Sequence, residues 1–134
     1  MADNQDPAAA TVIRDMLQSW ATSVRLRDID GVVADHDDHI RYFDVPPPVQ
    51  LRGIDTYRAS WSDQLFPFLG RSGRFDLAEL EIEAGDDVAF AHGIIRCQGA
   101  EQPDAFTVRL SVGLRKIDGR WTVLHEHHSE PSTT

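Results

Sequence analysis

The chain has 134 residues, a formal net charge of −9 and a single cysteine, Cys97. That length suits one domain with a real core. The acidity argues against nucleic acid, whose binding needs a basic face, and a lone cysteine cannot form an intramolecular disulfide, so a reducing cytoplasm is the default. No apolar run is long enough to span a membrane, and no signal-peptide pattern, Gly-rich phosphate loop, zinc-type cysteine pair or G-x-S-x-G elbow is present.

Residues 1–134 read as one domain with an ordered core over 7–130 and polar ends that fray. Asp6-Pro7 is a helix start, with an acceptor at the cap and proline in the first turn. Ile13, Met16, Leu17, Trp20 and Val24 follow at helical spacing, which predicts a helix to about Arg27. Asp28 or Asp30 caps a short second helix carrying Val32, Val33 and His36. His39 to Val45 reads as a strand with Ile40, Tyr42 and Asp44 on one face, ended by Pro46-Pro47-Pro48. A third helix carries Ile54, Tyr57, Trp61 and Leu65 on one stripe. Phe75 to Ala84 is a strand whose alternation slips between Leu77 and Leu80, which predicts a bulge. In the next strand, Val88 to Gln98, Phe90, His92, Ile94 and Arg96 share one face.

The closing stretch, Val108 to Ser129, reads as a hairpin turning at Asp118-Gly119. A two-residue type I′ turn puts Val108, Leu110, Val112 and Leu114 on the face of Trp121, Val123, His125 and His127. A type I turn with a bulge at Gly119 swaps the partner row. The first register is preferred because it joins the two most apolar rows. It leaves Arg109, Ser111, Arg115, Thr122, Leu124, Glu126 and His128 on the outer face, as a solvated surface or a two-fold dimer contact. Helices first and strands afterwards make the class α+β, with helices on one face of an antiparallel sheet.

Several side chains carry possible chemistry. Asp44 is either a strand-end cap filled by main-chain N–H groups or a general base in an apolar wall. His125 and His127 are either core or interface histidines, or a proton shuttle or ligand clamp. His-x-His also offers two nitrogens on one side of a strand, with His36, His92 or Asp44 as a third ligand, but the spacing is too weak to predict a metal. Arg96 either pairs inward with Asp44 or a ligand oxygen, or lies on the surface beside His92. Trp20, Tyr57 and Trp61 are core residues at helical spacing that also suit a pocket lining, and Tyr42 faces the same way as Asp44.

Trp20 in the first helix, Phe43-Asp44-Val45-Pro46-Pro47 ahead of Gly53-x-x-x-Tyr57-Arg58, Gly85-Asp86-Asp87-x-Ala89 and Gly119-x-Trp121-x-Val123-x-His125-x-His127-x-Ser129 together resemble the nuclear transport factor 2-like superfamily. SnoaL-like and ketosteroid-isomerase-like small proteins are the nearest in pattern. The resemblance implies a strongly bent sheet wrapped around helices into a cone with a ligand pocket, and a homodimer. It implies a small apolar or polyketide-like ligand and no cofactor. Asp44, nine residues before Gly53, matches the isomerase general base. The isomerase's oxyanion tyrosine falls at Trp20, and its protonated aspartate has no counterpart between Phe106 and Ile117. The expected site is therefore Asp44 and His127 as acid/base residues, with Trp20, Tyr42, Tyr57, Trp61, His92, Arg96 and His125 around the ligand. A cofactor-free isomerase, cyclase or dehydratase acting on a carbonyl compound is one outcome. A non-catalytic binding or dimerising module with a vestigial pocket is the other.

Overall fold

The protein is described here by a computed structural model covering residues 6–132. The expected fraying of the outermost residues, 1–5 and 133–134, lies outside the described residues. Helix α1 (Pro7–Leu26) starts as the sequence predicts: the Asp6 carboxylate accepts the Ala8 and Ala9 N–H groups, both at 3.1 Å. Arg27 ends it in the left-handed region (φ 54°). Helix α2 (Ile29–Val33) is capped by Asp28, which accepts from the Gly31 N–H at 3.2 Å. The chain turns at Asp35 (φ 59°), so His36 opens strand β1 (His36–Phe43) instead of closing the helix.

After the prolines, the two-residue strand β2 (Leu51–Arg52) pairs back on β1. Helix α3 (Ile54–Ala59) runs on through a π-helical turn over Ser60–Leu65 into α4 (Phe66–Leu69). Strands β3 (Arg74–Ala84), β4 (Val88–Gln98), β5 (Phe106–Ile117) and β6 (Arg120–Ser129) follow. The slip expected in β3 is a bulge between Ala78 and Glu81, with Glu79 at φ 53°. The core lies between the helices and one sheet face, where Ile13, Trp20, Tyr57 and Trp61 pack with Ile95, Leu110, Val112 and Val123.

Among the described residues the sheet has six strands in the order β2-β1-β6-β5-β4-β3. The α+β class stands, but two expectations about the sheet do not. It is mixed, because β1 runs parallel to β6. It is also open: the end strands β2 and β3 do not pair, and the sheet is neither closed nor strongly curled, so the cone is not formed. A two-residue edge strand exposes too few ladder groups to extend pairing further.

The last hairpin matches the preferred turn and then departs from the expected faces. Asp118 (φ 51°) and Gly119 (φ 79°) are both left-handed, and Ile117 lies opposite Arg120, as a type I′ turn requires. Val123 pairs with Leu114, but His125 pairs with Gly113, so Leu124 is an extra residue in β6. One unpaired residue inverts every side chain beyond it. Trp121 and Val123 are buried as expected, and beyond the bulge Glu126 and His128 are the buried pair.

Candidate functional site

The inversion in β6 carries Glu126 into the core, where it is the one fully buried carboxylate among the described residues. The Glu126, His36 and His128 side chains retain 2%, 3% and 9% of their accessible surface. A charge so placed must be paired and hydrogen-bonded. Its Oε2 meets His36 Nε2 at 2.6 Å and accepts the Tyr57 hydroxyl at 2.8 Å. Its Oε1 accepts His128 Nε2–H at 2.9 Å. Tyr57 in turn accepts the Trp20 indole N–H at 3.0 Å. Four segments thus converge on one carboxylate: α1, the start of β1, α3 and the end of β6.

Burial disfavours the Glu126 anion, but hydrogen bonds and positive charge from His128 and His36 outweigh it and hold the carboxyl far below the usual range. Burial likewise opposes charge on His36 and His128, yet the hydrogen bond and charge of Glu126 leave both rings above the ordinary imidazole value. Burial, and then the Glu126 charge, push the Tyr57 phenol well above its ordinary range, so it stays a neutral donor.

His128 has a second side. Its Nδ1 lies 3.7 Å from Asp44 Oδ1, and both residues line a cavity of about 320 Å³. Trp61, Leu65, Phe68, Phe75 and Val108 supply much of the wall. The π-helical turn explains why Ser60, Trp61, Gln64 and Leu65 all reach it: the wider turn stacks residues four and five apart on one face. Asp44 Oδ1 accepts the Val45 N–H at 2.8 Å, and among the described residues no group is hydrogen-bonded to Oδ2.

The expected site residues divide sharply. Asp44 and Trp61 line the cavity. Tyr57 and Trp20 stand behind it in the Glu126 network. Tyr42 is buried and donates its hydroxyl to the Thr56 carbonyl at 3.0 Å. His125 and His127 are on the opposite face of the sheet, edge-on to Phe43, because of the bulge at Leu124. His92 and Arg96 also point outward, beside Glu81 (3.4 Å) and Glu79 (3.8 Å). Glu126 and His128, assigned to the outer face from the sequence, are the residues it missed. Alternating polarity carries no trace of one extra residue, and His36 was hidden by its assignment to a helix.

Residues 13–133 match the SnoaL-like domain family. The chain belongs to that family. This SnoaL-like chain is 34% identical to a protein of unknown function from Pseudomonas putida with the NTF2-like fold, covering 97% of this chain and 92% of that one at a TM-score of 0.89. A ketosteroid isomerase-like protein from Erwinia carotovora shares 19% identity over 96% of this chain and 100% of its own, at a TM-score of 0.76. A nuclear transport factor 2-like superfamily protein from Salmonella enterica shares 17% over 95% and 94%, at 0.81. Those two establish likeness of fold alone. No curated protein matches the chain. Among its described residues no helix is long and apolar enough to cross a membrane.

Proposed function

We propose that this SnoaL-like protein binds a small apolar carbonyl compound in the cavity beside Asp44 and His128 and moves a proton on it without a cofactor. The observation that carries the reading is His128 itself. One ring nitrogen is fixed by a buried carboxylate and the other faces an apolar cavity across from a second carboxylate. Orientation of an imidazole by a buried acid is what acid/base catalysis needs. The cavity falls at the small end of the range for ligand sites, with mostly apolar walls and few polar groups.

The chemistry follows from those groups. Asp44 Oδ2, to which no group among the described residues is hydrogen-bonded, takes a proton from the carbon next to the carbonyl. The electron pair of the broken C–H bond moves onto the carbonyl oxygen. The His128 Nδ1–H donates to that oxygen and supplies the donor that the sequence comparison with ketosteroid isomerase had left missing. Where the compound carries a β,γ double bond, the resulting dienolate takes the proton back from Asp44 at the γ-carbon, which gives isomerisation. Departure of a β-hydroxyl, protonated by His128, gives water and an unsaturated carbonyl compound.

Deuterium exchange tests this directly. Small cyclic ketones and β-hydroxy ketones are incubated with the protein in D₂O, and loss of the α-proton signal is followed by NMR. Exchange catalysed by the wild type and reduced at least about a hundredfold in Asp44→Asn and in His128→Asn is the expected result. Ketones that bind in the cavity but exchange no faster with wild type than with the double variant would make the protein a binding module.

A further inference from the structure

The two histidines on Glu126 are not equivalent, and the hydrogen bonds show why. His36 Nδ1 lies 2.8 Å from the Ala34 carbonyl, an oxygen that can only accept, so Nδ1 carries a proton. Its Nε2 lies 2.6 Å from Glu126 Oε2. The Tyr57 hydroxyl lies 3.1 Å from that nitrogen and 2.8 Å from the same carboxylate oxygen, and its single proton goes to the nearer, anionic acceptor, Oε2. A bare Nε2 lone pair against a carboxylate oxygen at this distance would be repulsive, so Nε2 carries a proton as well. His36 is thus an imidazolium held at both ends, and its ring stacks on Tyr57 with centroids 4.8 Å apart.

His128 commits only Nε2–H, to Glu126 Oε1. Its Nδ1 is beyond hydrogen-bond distance of Asp44 and faces the cavity, where a proton can come and go. We propose that His36, which does not line that cavity, is a positioning residue that sets how tightly His128 holds its Nδ1 proton, acting through the carboxylate the two rings share. This rests on the acid/base reading of the cavity.

His128 sits between two anions, Glu126 at Nε2 and Asp44 at Nδ1. Tyr57 faces it through Glu126 as a neutral donor, and Glu130 and Cys97 line the same cavity. Were the two anions unopposed, the ring would keep its proton too firmly to donate it. His36 opposes them in two ways. It spends half of Glu126 on its own charge, and it places a second positive charge one carboxylate away in a buried, weakly screened setting. The Asp35 carboxylate, next in sequence to His36 and paired with Arg120 at 2.6 Å, favours the charged form of His36. When His128 has given up its Nδ1 proton, His36 and Tyr57 still hold Oε2, so Glu126 stays ionised and keeps accepting Nε2–H. The lone pair is thereby kept on Nδ1, toward Asp44 and the ligand, ready for the proton to return.

Histidine ¹⁵N NMR of the whole chain tests this without any substrate, so it can fail separately from the exchange assay above. In the wild type, both His36 nitrogens are expected to stay protonated throughout the pH range in which His128 titrates. In His36→Gln the His128 midpoint is expected to move to higher pH, because a like charge has been removed. If turnover is measurable, kcat falls about tenfold at neutral pH with KM unchanged. A merely structural His36 would leave the His128 midpoint where it was. The proposal is overturned if His36 loses a proton before His128 in the wild type, a result that needs no variant to fold, or if the His128 midpoint in folded His36→Gln is unchanged or lower.

Discussion

Glu126→Gln is the substitution to which the structure commits most. The carboxylate is buried and receives His36, Tyr57 and His128 at 2.6, 2.8 and 2.9 Å. The amide is nearly the same size, so no cavity forms. It removes the charge that two imidazoliums need, and it turns an N–H group toward at least one ring nitrogen. Removing one partner of a buried ion pair costs about 3–5 kcal/mol, a large part of the roughly 5–15 kcal/mol that holds a domain folded. The urea midpoint should fall by about 2 M. The pH dependence separates this from a packing defect. Both histidines are raised above 6.5 in the folded protein, so their contribution is complete below 6.5 and is lost as pH rises through the raised folded values. Glu126 is held below its ordinary 4.5, so its contribution is present above 4.5 and is lost as pH falls through the lowered folded value. The gap between wild type and variant should therefore be widest between 4.5 and 6.5 and narrow on both sides. Urea unfolding of both proteins at acid, near-neutral and alkaline pH measures it. A loss below about 1 kcal/mol at pH ~6, the scale of one neutral hydrogen bond, would refute the ionic network. So would a loss independent of pH.

Asp44→Asn should leave stability within about 1 kcal/mol, since its one hydrogen bond among the described residues is to the neighbouring Val45 N–H; a sharp fall in Tm would make Asp44 a structural cap. Burial pushes the Cys97 thiol up from 9.0 to about 11, so alkylation by iodoacetamide at neutral pH should run about a hundredfold slower than for a free cysteine. Reaction at the free-thiol rate would contradict that. Val88 and Phe90 stand 62% and 56% exposed on the outer sheet face that also carries His92. Self-association through that face should give a dimer by light scattering at tens of micromolar, and a monomer there would remove it.

Features decided by a few neighbouring residues were legible in the sequence. The Asp6 cap, the Ala78–Glu81 slip and the type I′ turn at Asp118-Gly119 each depend on contacts within a few positions. Asp44 reaches the cavity because the phase of a short, regular strand survives from Ile40 to its end. The rest needed long-range pairing. Which way His125, Glu126, His127 and His128 point depends on a count of residues along β6 against β5, and the extra residue at Leu124 changes that count without changing the hydrophobic pattern around it. Whether β6 meets β1, and in which direction, is decided by packing between segments roughly 80 residues apart. That pairing alone brings His36 within reach of Glu126, so the local sequence marks two ordinary polar residues where the tertiary structure makes one buried charge network.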